Sequence, residues 1–147
     1  ALPQHHFLLL TKRANAMFIY FKRHVGGGGK IPENLWVGIS VENQQTADER
    51  ILLLLSTPVK NRFISVEPLL ERVVMMRTDL KRFHKISWVI CGGETGRNAR
   101  YMDPRWTRSI RYECGFWNIP FFLKQMSHKQ SIPNDINLKQ FPSSLLT

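Results

Sequence analysis

The sequence predicts an α/β fold: a mostly parallel sheet of about five βα units. Three observations carry this. Short runs of apolar, β-branched and aromatic residues recur at 7–10, 35–41, 62–66, 86–91 and 120–123. Their starts lie about 24 to 34 residues apart, the room a parallel strand needs for a helical crossover before its neighbour. Runs such as Trp36-Val37-Gly38-Ile39-Ser40-Val41 and Trp88-Val89-Ile90-Cys91 are also apolar on both faces, as strands covered on two sides require.

The elements follow in order. After the strand at 7–10, residues 14–25 prefer helix, with Ala14, Met17, Phe18 and Phe21 on one face and Lys22 and Arg23 near the end, where positive charge suits the helix dipole. The glycines at 26–29 stop it. They form a flexible connector and not a phosphate loop, because no Lys-Ser or Lys-Thr follows and no helix begins there. Past the strand at 35–41, Thr46-x-x-Glu49 reads as a capping box with Asp48 adding negative charge in the first turn. That helix runs through Leu55 and ends before Pro58. Its run at 51–55 is apolar nearly all round and predicts burial on more than one side. The crossover at 69–84 predicts a short or broken helix. The last crossover opens with Asp103 as cap and Pro104 in the first helical position; Trp106, Ile110 and Cys114 recur every four residues, which places Cys114 in the core. Beyond Met126 the pattern fades into a turn-rich stretch at 132–137. The predicted division is one domain over residues 1–126 with a carboxyl-terminal tail, 127–147, packed on it.

A chain of 147 residues is long enough for a real core and short of an eight-unit barrel. Its longest aliphatic run, residues 51–55, is too short to cross a bilayer, and no stretch resembles a cleavable signal. The expectation is a soluble, cytoplasmic protein with no membrane partner. Ala1 opens the sequence without an initiator Met, as the interior of a longer gene product would. Cys91 and Cys114 are too few for a disulfide framework and too far apart for a redox pair, so no metal is assigned. Lys and Arg number 21 against 11 Asp and Glu, a formal charge of +10 that favours nucleic acid or other polyanions. The excess is dispersed, with Lys12-Arg13, Lys22-Arg23 and Lys81-Arg82 as its pairs. His5, His6, His24, His84 and His128 read as structural or surface residues, and Trp36, Trp88, Trp106 and Trp117 as packing rather than base-stacking platforms.

In parallel α/β proteins, ligands bind where strands end, because loop side chains converge there and the next helix offers its positive amino end. Each predicted strand runs into conspicuous polar residues: Thr11-Lys12-Arg13, Ser40-Val41-Glu42-Asn43, Ser65-Val66-Glu67-Pro68, Gly92-Gly93-Glu94-Thr95-Gly96 and Lys124-Gln125. Glu42, Glu67 and Glu94 are expected to approach one another at that edge. They suit an amine, a ribose hydroxyl, general-base work, a hard divalent cation or neutralisation of Lys12, Arg13 and Lys124. Gly92 and Gly93 allow either close approach of a ligand or a tight turn, and they form neither a dinucleotide fingerprint nor a P-loop. Arg97 and Arg100 are placed to meet a phosphate or carboxylate. Lys124, preceded by Phe121, Phe122 and Leu123, is the best inward-facing lysine, or else a partner for Glu94 or Glu42. The predicted catalytic set is Glu42, Glu67, Glu94 and Lys124. The predicted ligand-binding set is Thr11, Lys12, Arg13, Ser40, Asn43, Ser65, Gly92, Gly93, Thr95, Gly96, Arg100 and Gln125.

These motifs, with Ala47-Asp48-Glu49-Arg50 and Pro120-Phe121-Phe122-Leu123-Lys124-Gln125, span most of residues 4–126. Taken together they resemble a phage- and prophage-associated family of uncharacterised proteins that looks related to radical S-adenosylmethionine enzymes. The resemblance implies the later part of a partial TIM-like barrel, with S-adenosylmethionine or substrate touching the strand-end residues. In that family an amino-terminal segment carries closely spaced cysteines suited to a [4Fe-4S] cluster; Cys91 and Cys114 do not replace them. The chain is then expected to be an inactive fragment of such an enzyme, needing the missing amino-terminal half. The alternative is a non-catalytic nucleic-acid-binding or assembly protein of phage origin. An incomplete barrel also predicts self-association through an exposed sheet edge.

Overall fold

The computed structural model describes residue 2 and residues 4–146. Strands and helices alternate as β1 (Phe7–Thr11), α1 (Ala14–Gly26), β2 (Leu35–Val41), α2 (Gln44–Ser56), β3 (Asn61–Val66), β4 (Trp88–Cys91), α3 (Pro104–Phe116) and β5 (Phe121–Leu123). All four pairings are parallel, and the strands lie side by side in chain order. Each crossover therefore adds its strand on the same side, as in a barrel wall; a doubly wound sheet would reverse midway.

The period of two along each strand divides the sheet into two faces. Val37, Ile39, Ile64, Val66, Val89 and Leu123 meet the three helices in one continuous core. The alternate residues, Trp36, Phe63 and Trp88 with Ile90 and Phe122, pack as a second cluster on the opposite face, which Phe141 and Leu145 of the tail meet in place of an α-helix. Gly38 lies in that second layer. A Cβ there would stand 2.5–2.6 Å from the Phe63 ring, so the glycine is what lets the aromatic side chain cross β2.

α1 buries Ala14, Met17 and Phe21. α2 starts earlier than the sequence motif implied. Asn43, directly after β2, is itself a capping residue: its side chain accepts from the Thr46 backbone at 2.9 Å, and the Thr46 hydroxyl accepts from the Asn43 backbone at 3.1 Å. The box is thus Asn43 with Thr46 and not Thr46 with Glu49. Only one face of α2 is buried, through Ala47, Ile51, Leu54 and Leu55, while Leu52 is 40% exposed, which corrects the expectation of burial on several sides. α3 follows its predicted signals: Asp103 accepts from the Arg105 backbone at 2.8 Å, Pro104 opens the helix, and Ile110 and Cys114 are buried.

The third crossover contains no α-helix, only a 3-10 turn at Phe83–Lys85, so three helices serve four crossovers. Its backbone groups are satisfied partly by backbone, as Leu69 donates to Gly92 and Leu70 to Glu42, and partly by side chains. Gln44 Oε1 accepts from Val74 at 2.7 Å, and Glu113 Oε2 accepts from Met76 at 2.8 Å. Leu69, Val73, Met75 and Phe83 anchor the segment in the core. β4 begins at Trp88 rather than at residue 86, because the Ile86 N–H is taken by Phe83.

The sheet edges differ. Residues 138–140 form an antiparallel bridge at Phe122–Lys139: Leu123 donates to Leu138 at 2.9 Å, Gln140 donates to Phe121 at 3.0 Å, and the Lys139 ammonium donates to the Leu123 carbonyl. The tail thereby covers β5. On β1, Phe7, Leu8, Leu9 and Leu10 each remain 45–49% exposed. No helix among the described residues is long and apolar enough to cross a membrane.

Candidate functional site

The strand register brings Val41, Val66, Cys91 and Leu123 into one row. One residue further, where the strands end, Glu42, Glu67, Gly92 and Lys124 form the next row, facing away from the helices. Lys124 Nζ lies 3.1 Å from Glu67 Oε2, so the lysine that follows β5 meets the glutamate that follows β3 over the glycine that follows β4. Gln125 Nε2 donates to Glu67 Oε1 at 2.9 Å and to the Gly93 carbonyl at 2.8 Å.

The two glycines serve this arrangement. A Cβ at Gly92 would lie 2.8 Å from Gln125 Nε2 and 2.9 Å from Glu67 Oε1, and one at Gly93 would strike the Met126–Ser127 backbone. Neither has a positive φ. The space they leave is filled by the protein's own chain, which matches the geometric reading of the glycines more closely than the ligand-approach reading.

Glu42 is the most buried of the three glutamates. Arg50 Nη1 donates to its Oε2 at 3.0 Å and to the Ser40 carbonyl at 2.7 Å, while Lys12 Nζ stands 2.6 Å from Oε1. The Lys12 contact compensates charge without hydrogen-bond alignment, and Oε1 has no hydrogen-bond partner. Glu94 accepts from Arg100 Nη2 at 2.7 Å, Nε at 2.9 Å and backbone N–H at 2.8 Å. The guanidinium holds the Glu94 carboxyl at about 2, well below the usual range. Each glutamate has a cation of its own, Glu42 two of them, with Glu42 and Glu67 in neighbouring positions of the row and Glu94 two residues past Gly92.

The remaining predicted residues divide by role. Ser40 and Ser65 are buried one layer below Glu42 and Glu67. Thr11 accepts from the Arg13 backbone at 3.0 Å, Asn43 caps α2, and Thr95 and Arg97 are exposed beside Gly96, whose φ is +112°. Lys124 shares the inward parity that was expected, is about half exposed, and takes Glu67 as partner rather than Glu94 or Glu42. Arg50 was missed by sequence reasoning, as was the aromatic floor of the site. The floor was detectable: Phe63, Ser65 and Glu67 alternate along β3, and Trp88, Ile90 and Gly92 along β4, so the tryptophan shares a face with the strand-end polar groups.

Below the row lies a hollow of about 310 Å³ lined by Phe63, Ser65, Trp88, Ile90 and Phe122, with Leu8 and Leu10 on one side and Glu67 and Lys124 at the rim. Larger hollows, up to about 690 Å³, lie along α1 and between α3 and the tail. None of those contains a strand-exit residue, so the smaller hollow belongs to the site. Among the described residues, no group of three or more His, Cys, Asp or Glu is placed to hold a metal ion. Both cysteines are buried in the helix-side core, where burial pushes the Cys91 thiol up to about 12 and raises that of Cys114 as well.

Fold and site together define an α/β protein with a parallel sheet in sequential order and a carboxylate–ammonium row at its carboxyl edge. A family model described as "Protein of unknown function (DUF5131)" matches residues 1–140, and the chain belongs to that family. No curated protein and no solved structure matches it.

Proposed function

We propose that the carboxyl edge is a small-ligand site, and that the chain supplies the ligand-holding wall of a radical S-adenosylmethionine-like enzyme acting on an unknown substrate. The observation that carries this is the Glu67–Lys124 pair above an apolar hollow. A partly exposed ion pair is worth only about 0–1 kcal/mol, so it is readily exchanged: a ligand ammonium takes Lys124's place on Glu67, and a ligand carboxylate pairs with Lys124. The donor set suits the aminoacyl end of S-adenosylmethionine, which supplies an activated carbon–sulfur bond when bound. Aromatic side chains in the hollow suit a flat, apolar ligand portion. An iron–sulfur cluster does not fit these residues, since both thiols are buried behind the sheet and held protonated. The chain therefore neither assembles a cluster nor turns over alone, in keeping with a catalytic part supplied by other residues. Calorimetric titration with S-adenosylmethionine tests the reading. Binding that falls at least tenfold in Glu67→Gln and Lys124→Met is expected, and heat of dilution only would overturn it.

A second reading, a non-catalytic nucleic-acid-binding or assembly protein of phage origin, is favoured by the charge of +10. Salt-sensitive nucleic-acid binding without any S-adenosylmethionine affinity would select it.

A further inference from the structure

We infer that the outer face of α1 is a binding surface for single-stranded nucleic acid. The order of residues leaves this part of the chain without carboxylates of its own. The first acidic residue is Glu33, and Lys12, Arg13, Lys22, Arg23 and Lys30 all precede it. Half of the net charge of +10 thus comes from less than a quarter of the sequence. Of these cations only Lys12 enters an ion pair among the described residues, with Glu42. Elsewhere six of the ten arginines are met by carboxylates among the described residues, as Arg77 is by Asp48, Arg100 by Glu94 and Arg108 by Asp135.

The same helix displays an aromatic platform. Because α1 turns Ala14, Met17 and Phe21 inward, Tyr20 faces out and is 63% exposed. Its ring lies parallel to that of His24, with centroids 6.1 Å apart and planes 5° from parallel. Tyr20 and His24, with Ala16, Ile19 and Arg23, line a shallow hollow of about 690 Å³. The Lys22 ammonium stands 5.5 Å from the Phe18 ring centroid.

Flat rings flanked by cations, with no carboxylate among them, match what a single strand presents: bases stack on the rings and phosphates pair with the cations. A duplex keeps its base faces stacked away and would leave Tyr20 idle. An acidic polypeptide would meet the cations and leave the platform without a partner. The glycine turn after α1 does not contribute a phosphate nest, since the N–H groups of Gly27, Gly28 and Gly29 already donate to Arg23, Val25 and His24 carbonyls. Tyr20, Lys22, Arg23 and His24 lie outside the Glu67–Lys124 site, so the inference stands whether or not that site binds S-adenosylmethionine.

Fluorescence anisotropy with a labelled oligothymidylate tests it, with a duplex of the same length, heparin and oligoglutamate as comparison probes. The single strand is expected to bind more tightly than the duplex. Tyr20→Ala should weaken single-strand binding about tenfold while leaving heparin affinity unchanged, and Tyr20→Phe should restore it. Arg23→Glu should weaken both probes and flatten the salt dependence. Circular dichroism melts establish that each variant is folded. Equal affinity for single strand and duplex, or no effect of Tyr20→Ala, would reduce the surface to unspecific polyanion attraction and overturn the inference. Binding to oligoglutamate without binding to the oligonucleotide would overturn it in favour of an acidic protein partner.

Discussion

Glu67 and Lys124 reach each other across a strand to which neither belongs: Oε2 and Nζ are 3.1 Å apart over Gly92, the position at which β4 offers no side chain. The pair exists because one residue in the row is missing its Cβ. Adjacent glycines should therefore respond differently to the same substitution. In Gly92→Ala the new methyl meets the ends of two flexible side chains, Glu67 and Gln125, which can swing away at a cost of about 1 kcal/mol. In Gly93→Ala it meets the backbone of Met126 and Ser127, which cannot, and overpacking of about 1–3 kcal/mol is expected. Urea unfolding of the two variants measures the difference. Gly92→Ala should keep most of the stability while weakening S-adenosylmethionine binding.

Glu113 lies on α3 with its side chain almost fully buried, one oxygen accepting from Met76 and the other without a partner. Burial raises its carboxyl above the usual value. A raised folded-state value means that the folded form holds the proton more tightly, so the stability from this group is full at low pH and is lost as pH rises through that value. Glu113→Gln retains an acceptor for Met76 and cannot ionise. Its melting temperature should equal that of the wild type near pH 4 and exceed it at pH 8.

Glu94 has the opposite sign. Its carboxyl is held at about 2 against an ordinary 4.5, principally by the Arg100 side chain. The contribution is therefore present above pH 4.5 and disappears as pH falls toward 2. Amide exchange at Arg100, whose N–H donates to Glu94, should accelerate over that window beyond the intrinsic rate, and Glu94→Gln should abolish the transition.

Cys91 and Cys114 should resist thiol reagents in the folded protein. Each is buried and held as the neutral thiol, whereas the thiolate is the reactive form. Reaction with a chromogenic disulfide at pH 8 should proceed only at the rate of unfolding and become immediate in denaturant. A fast phase in buffer would show that one of them is accessible.

The sequence made the sheet largely legible because β-branched and aromatic runs at regular spacing leave few alternatives to parallel strands with crossovers. The bounds of β2 and the cap of α3 followed from it directly. The start of α2 did not, since Asn43 and Thr46 are both good caps and only the geometry after β2 selects the first. The third crossover was equally ambiguous: its apolar residues look helical, but part of its backbone is held by Gln44 and Glu113, 30 and 37 residues from the groups they accept from. At the carboxyl edge, residue types and positions were readable, and partners were not. Nothing in the spacing of Glu42, Glu67 and Glu94 says that Arg50, Lys124 and Arg100 respectively would hold them.

The unequal edges of the sheet set a limit on how copies could join. Strand-to-strand growth into a fibre needs two free rims on every subunit. Among the described residues the tail occupies the rim at β5, and no strand pairs with the outer side of β1. Pairing through β1 alone would consume that rim on both participants at once and end at a closed twofold pair, so the residues of the tail would act as a stop against polymerisation.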